Sequence, residues 1–208
     1  MSSLPVDVPD ERAGSGPSIH SLDCFVLQVP DLEVARNFYS RFGLDVAEDR
    51  GALSLRTFGQ DHVWGPVVEG SRKSTHHLSL AIYEADIPGF ERKFAERGIR
   101  RTDAPQGWDS DGIWFEGFDG VPMELRVTTK SSPDFKSPGV SSDVGRHARG
   151  TRLGHASLTP VRPERLSHCL FFSPDVRGAA AFCRDILGMQ LSDRCGDGLA
   201  LLPGAHGS

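Results

Sequence analysis

The sequence predicts an α+β protein made of repeated βαβββ modules, with the second module cut short. Three observations point there. Short apolar runs with strand character alternate with two amphipathic helical patterns. Pro-Asp and Gly pairs punctuate the transitions. The opening pattern of the chain then returns about two-thirds of the way along.

The first 18 residues, MSSLPVDVPDERAGSGPS, carry neither a basic start nor an apolar stretch. They read as a disordered tail and not as a secretory signal. Residues 22–29, LDCFVLQV, form a buried-strand run. Pro30 stops it, and Asp31 can accept from the free N–H groups that open a helix. In that helix Leu32, Ala35, Phe38, Tyr39 and Phe42 recur on one expected apolar face, and Gly43 ends it. Strand signals follow around Val46, Leu53–Thr57 and Val63–Val68.

A further strand is expected at 76–83, in HHLSLAIYEAD. Asp86 then opens a second helix, 87–97, with Ile87, Phe90, Phe94 and Ala95 inward and Gly98 at its end. GIWFEGFDGVPMELRVTT reads as two strands around the turn dipeptide Asp119-Gly120. Residues 19–128 thus form one domain of paired βαβββ modules. Residues 129–164, rich in Ser, Pro, Gly and Arg, read as a linker with at most a short strand at LGHASL. Its Arg146, Arg149 and Arg152 suit a solvated stretch.

At residue 165 the pattern restarts. LDCFVLQVPDLEVARNF from Leu22 aligns without a gap on LSHCLFFSPDVRGAAAF from Leu166. The pairs are Leu22/Leu166, Pro30/Pro174, Asp31/Asp175, Ala35/Ala179 and Phe38/Phe182, with Gly43 and Gly188 ending both helices. Residues 165–208 are therefore the start of a second copy, with QLSDR and LALLP as strand-like pieces.

LSHCLFFSPDVRGAAAFCRDILGMQLSDR resembles the two-domain extradiol ring-cleavage dioxygenases of the vicinal oxygen chelate superfamily, which also holds the glyoxalases and bleomycin-resistance proteins. GVPMELRV matches the end of that family's N-terminal domain. The resemblance covers roughly residues 20–128 and 165–208. It implies a metal held by two histidines and a carboxylate, Fe(II) with Mn(II) as the alternative, leaving positions for a small aromatic diol and dioxygen. It implies that His168, on the first strand of the second copy, is the first metal ligand. The remaining ligands and the acid/base residues are expected beyond Ser208. Three roles stay open for His168: a buried histidine without metal, a ligand in a longer chain, or a ligand completed by another subunit.

In the first copy Cys24 stands where His168 stands in the second. Strand alternation sets His77, Ser79 and Ala81 opposite Leu78, Leu80 and Ile82, and sets Glu124 opposite Met123 and Leu125. Cys24, His77 and Glu124 are therefore the candidate ligands of the first copy, a chemically possible zinc set. The resemblance implies that this copy is metal-free.

His155 in RLGHASL has the look of a first-strand ligand, but no capped amphipathic helix follows it. His20, His62, His147 and His206 are read as surface residues. Trp64, Trp108 and Trp114 are read as module core or interface.

A net charge of -5 argues against nucleic-acid or anionic-membrane binding. No apolar run is long enough to span a bilayer. Four cysteines without paired spacing read as reduced thiols of a cytoplasmic protein. The expected function is extradiol ring cleavage. The alternatives are a non-catalytic small-molecule binder of the bleomycin-resistance type or an inactive fragment. The apolar Leu199, Leu201 and Leu202 of the short second copy point to self-association as a homo-oligomer.

Overall fold

The computed structural model describes residues 16–131 and 162–202. Strand β1 (Ser21–Val29) leads into helix α1 (Leu32–Phe42), then β2 (Asp45–Asp49), β3 (Ala52–Arg56) and β4 (Val63–Glu69). A second pass follows: β5 (Ser74–Ile82), α2 (Ile87–Arg97), β6 (Ile113–Glu116) and β7 (Pro122–Val127). These seven strands make one sheet in the order β2-β3-β4-β1-β5-β7-β6. It is a mixed sheet with helices, as the sequence predicts for an α+β protein.

The two halves of the sheet repeat one plan. β1 runs parallel to β4, and β5 parallel to β7, while β3–β4 and β6–β7 are antiparallel. The antiparallel β1–β5 pair joins the halves. The counterpart of β2 in the second half shrinks to a single bridge, Arg101 to Phe115.

Local chemistry sets the boundaries. Asp31 is extended, and its carboxylate accepts from the Val34 N–H at 2.9 Å, which starts α1. Gly43 ends it at φ 98°, a left-handed conformation that suits glycine. The β6–β7 turn has positive φ at both Asp119 (54°) and Gly120 (73°), the twist that matches flanking antiparallel strands.

Each helix covers one end of the same sheet face. α1 sets Ala35, Leu32 and Tyr39 on Leu53, Leu55 and Val67. α2 sets Phe90 and Phe94 on Leu78, Leu80, Phe115, Met123 and Leu125. Phe38 and Phe42, expected inward, are instead 62% and 60% exposed. The sheet beneath α1 is filled by Leu32, Ala35 and Tyr39, which leaves those rings on the outer flank. Ala95, also expected inward, is exposed on α2.

The second copy departs most from expectation. Its helix α3 (Val176–Asp185) forms, capped by Asp175, whose carboxylate accepts from the Gly178 N–H at 2.9 Å. β8 (Asp193–Cys195) and β9 (Leu199–Leu201) pair as a hairpin. The strand expected before α3 does not form: residues 166–172 are irregular. In the first copy β1 survives between β4 and β5. Among the described residues no strand offers 166–172 such a partner, so its backbone groups gain nothing from an extended ladder.

α3 docks on the first copy. Cys183, Ile186 and Leu187 are buried in the same core as Phe90 and Phe115. Phe182 stacks on Phe115 with centroids 6.4 Å apart and meets Phe118 edge-on at 6.3 Å. Leu187 O accepts from the Ile19 N–H at 3.0 Å. Lys93 of α2 donates to Pro17 O and Ile186 O, both at 3.2 Å. Packed chain thus begins before residue 19: Ser18 is buried, and Pro17 lies against α2 and near Gly188. Arg162 and Pro163, in the expected linker, also lie on the first copy, with Arg162 paired to Asp45 and stacked over Phe58. Arg146, Arg149, Arg152 and His155 lie outside the described residues. No helix among the described residues is long and apolar enough to cross a membrane.

Candidate functional site

The sheet face away from the helices is where the first-copy ligand candidates fall, and strand register decides which of them meet. Cys24 on β1 lies directly opposite Ser79 on β5. Ser79 lies opposite Glu124 on β7, and Glu124 opposite Trp114 on β6. The result is one lateral row, Cys24–Ser79–Glu124–Trp114, across four strands. His77 sits further along β5, opposite Val26. The expected trio of Cys24, His77 and Glu124 is therefore corrected: Ser79 occupies the place in the row that His77 was expected to take. An extra residue in β1, Asp23, sets this register through a bulge between Leu22 and Cys24.

The middle of this row, Ser79 and Glu124, is deeply buried and hydrogen-bonded. Ser79 and Glu124 are each 1% exposed. The Ser79 hydroxyl lies 2.8 Å from Glu124 Oε2 and 3.2 Å from Asp23 Oδ2. It has one proton to donate between them. The Ser110 hydroxyl donates to the other Glu124 oxygen. Arg126 donates to Asp23 Oδ2 at 3.3 Å, and His62 binds Asp23 O at 2.6 Å. Gly112 brings the Ser110 loop against this carboxylate. A Cβ there would lie 2.2 Å from Glu124 Oε1, so the approach requires glycine.

The chemistry of the row does not suit a metal. Burial, followed by the negative Asp23 and Glu124, pushes the Cys24 thiol up to about 12. Serine is no substitute for a histidine, and both Glu124 oxygens are engaged by hydroxyls. Among the described residues no three His, Cys, Asp or Glu side chains are placed to hold an ion.

His77 has a different environment. It is fully buried, with Trp108 and Trp114 edge-on at 4.5 and 4.9 Å. Burial, then the neighbouring His76, pushes its pKa down to about 3, so the ring is neutral. Its Nδ1 is hydrogen-bonded to His76 Nδ1 at 2.7 Å, and its Nε2 has no hydrogen-bond partner. Trp64 and Trp114 also bury unpartnered indole N–H groups. Trp114, the last member of the row, and Trp108 thus enclose His77.

His168 is exposed on the irregular segment before α3, and it belongs to no group of three candidate ligands among the described residues. His20, expected at the surface, is 3% exposed. It sits against Tyr83 at 4.3 Å, and its Nε2 lies 3.2 Å from Thr128 O. His62 is half-buried on Asp23. Trp64 and Trp114 are core, as expected. His147 and His206 lie outside the described residues. Ser79, Asp23, Ser110 and Arg126 were not legible as site residues, because only the cross-strand register and the 101–112 loop bring them together.

No family model matches the chain. It is 36% identical over 191 residues to Metapyrocatechase 2 of Cupriavidus necator, covering 92% of this chain and 59% of that protein. Among solved structures, the Mn(II)-bound glyoxalase of Novosphingobium aromaticivorans matches with a TM-score of 0.63 at 21% identity. That match covers 90% of this chain and 58% of the other. An extradiol ring-cleaving dioxygenase of B. fuscum matches with a TM-score of 0.59 at 21% identity, covering 94% and 53%. The chain therefore spans between half and three-fifths of the length of these relatives. The structural matches bear on the fold alone.

Proposed function

We propose that the chain belongs to the vicinal oxygen chelate superfamily and works as part of an extradiol-type dioxygenase cleaving catecholic aromatic compounds with dioxygen. One observation carries this reading. The similarity to the metapyrocatechase extends over nearly the whole chain, through the first unit and on into the second. A likeness confined to one βαβββ pair would be shared by many activities on this fold.

The two units take different parts. In the first, hydroxyl groups and a neutral thiol close the buried row around Glu124, and aromatic rings fill the space beside it. That unit serves as a scaffold on which α3 docks. The second unit offers His168 as the metal ligand. The described residues do not make up a metal site, so Fe(II), or Mn(II), would draw its other ligands from outside them. A cytoplasmic setting, which keeps the four cysteines reduced, belongs to the same proposal.

The test joins this chain to the part of the metapyrocatechase that it does not match. The joined protein is loaded anaerobically with Fe(II), and catechol and air are supplied. Ring-fission product is expected to accumulate with one dioxygen consumed per catechol. His168→Ala is expected to abolish turnover. A folded, iron-loaded joined protein that binds catechol and leaves the ring intact would overturn the reading.

A further inference from the structure

The irregular segment that carries His168 touches the first unit through one ring. From Ser167 to Phe172 every residue is exposed except Phe171. Leu170 and Phe172 on either side of it are 67% and 95% exposed. Phe171 instead turns inward and packs against the core of the first unit. Its ring meets Phe118 edge-on, with centroids 6.3 Å apart and planes at 74°. Edge-to-face pairs of this kind contribute beyond the apolar area they bury.

Phe118 offers a firm seat for this contact. It opens the turn between β6 and β7, where the Val121 N–H donates to Phe118 O at 3.1 Å and the Gly117 N–H to Val121 O at 2.8 Å. The internal repeat shows what an inward residue at the place of Phe171 does. The gapless alignment sets Phe171 on Leu27 and His168 on Cys24. In β1, Leu27 packs toward α1, while Cys24 lies in the row on the opposite sheet face. Seating the first residue of such a pair therefore turns the second one away. A segment without a strand ladder also needs a pin, because ordering each residue costs conformational entropy.

We propose that Phe171 is a positioning residue for His168: seated on Phe118, it fixes the segment with the imidazole facing away from the first unit. The inference rests on the reading that His168 ligates a metal. It gives the first unit a part in the site beyond that of a scaffold, because the turn at Phe118 sets where the ligand stands. A ligand already held in place loses little freedom when metal arrives, so its affinity is higher than that of a loose one.

Two measurements test this. NMR relaxation on the metal-free chain reads the backbone order of His168, Cys169 and Leu170. Order parameters of about 0.85 are expected in the unaltered chain, and below about 0.6 in Phe171→Ala and in Phe118→Ala. Phe171→Leu, which places the first copy's residue there, is expected to keep the order. Anaerobic Fe(II) titration of the joined protein then reads affinity. Phe171→Ala is expected to weaken it by about tenfold, as groups that orient metal ligands do, and Phe171→Leu to restore it. Unchanged circular dichroism and melting midpoint separate this effect from a general loss of fold. Undiminished order in both alanine variants overturns the proposal. So does an iron affinity that stays the same when the order is lost. An unaltered joined protein that takes up no iron would sink the dioxygenase reading instead, and the order parameters still decide whether Phe171 pins the segment.

Discussion

His77 shows how one side chain can tie stability to pH. Buried between Trp108 and Trp114, it titrates near 3, against an ordinary value of 6.5. Between those two values the unfolded chain takes up a proton that the folded chain refuses. This contribution is therefore intact above pH 6.5 and is lost progressively as the pH falls toward 3. Within the window a one-proton difference costs about 1.4 kcal/mol per pH unit. Urea unfolding at several pH values is expected to show that slope in the native chain and a shallower one, by about that amount, in His77→Gln. Equal slopes would mean that the ring protonates inside the fold. Cys24 illustrates the same principle with the opposite sign. Burial and two nearby carboxylates favour its neutral thiol.

At the scale of elements, the docking of α3 is the contact most open to test. It rests on Phe182, Ile186 and Leu187 against the first unit, and on Lys93, whose ammonium bridges Pro17 O and Ile186 O. Burial lowers the Lys93 pKa, and it donates charge-assisted bonds to carbonyls at the end of α3. Lys93→Met keeps the apolar stem and removes the donors. Amide exchange in α3 is expected to speed up by about tenfold, a loss of about 1.4 kcal/mol. Exchange at Leu53 and Leu55, under α1, is expected to stay unchanged. Uniform acceleration would mean that the lysine supports the whole fold. Most elements of the first unit were legible in the sequence. Asp31, Gly43 and Asp119-Gly120 announce their turns through local chemistry, and strand alternation assigned Ser79, His77 and Glu124 to the correct face. What failed was tertiary. Phe38 and Phe42 fit a helical period, but the space beneath α1 is filled by Leu32, Ala35 and Tyr39. The segment 166–172 has a strand's composition and no described strand beside it.

At the scale of the molecule, the chain divides between a first unit that forms a complete sheet and a second that carries the proposed ligand His168. The repeat placed His168 in the sequence without any coordinates. The row of the first unit was only half legible. The repeat found Cys24 and alternation found Glu124, but the residue between them is fixed by a bulge at Asp23 that nothing local announces. Ser79 in that place, hydrogen-bonded to Glu124, is the structural reason to propose the metal site for the second unit. Iron per chain tests this assignment most directly. It is measured after anaerobic loading of the chain joined to the unmatched part of its metapyrocatechase relative. About one iron is expected in the unaltered protein and in Glu124→Gln, and close to none in His168→Ala. Iron lost on Glu124→Gln and kept on His168→Ala would place the metal in the first unit and contradict the assignment.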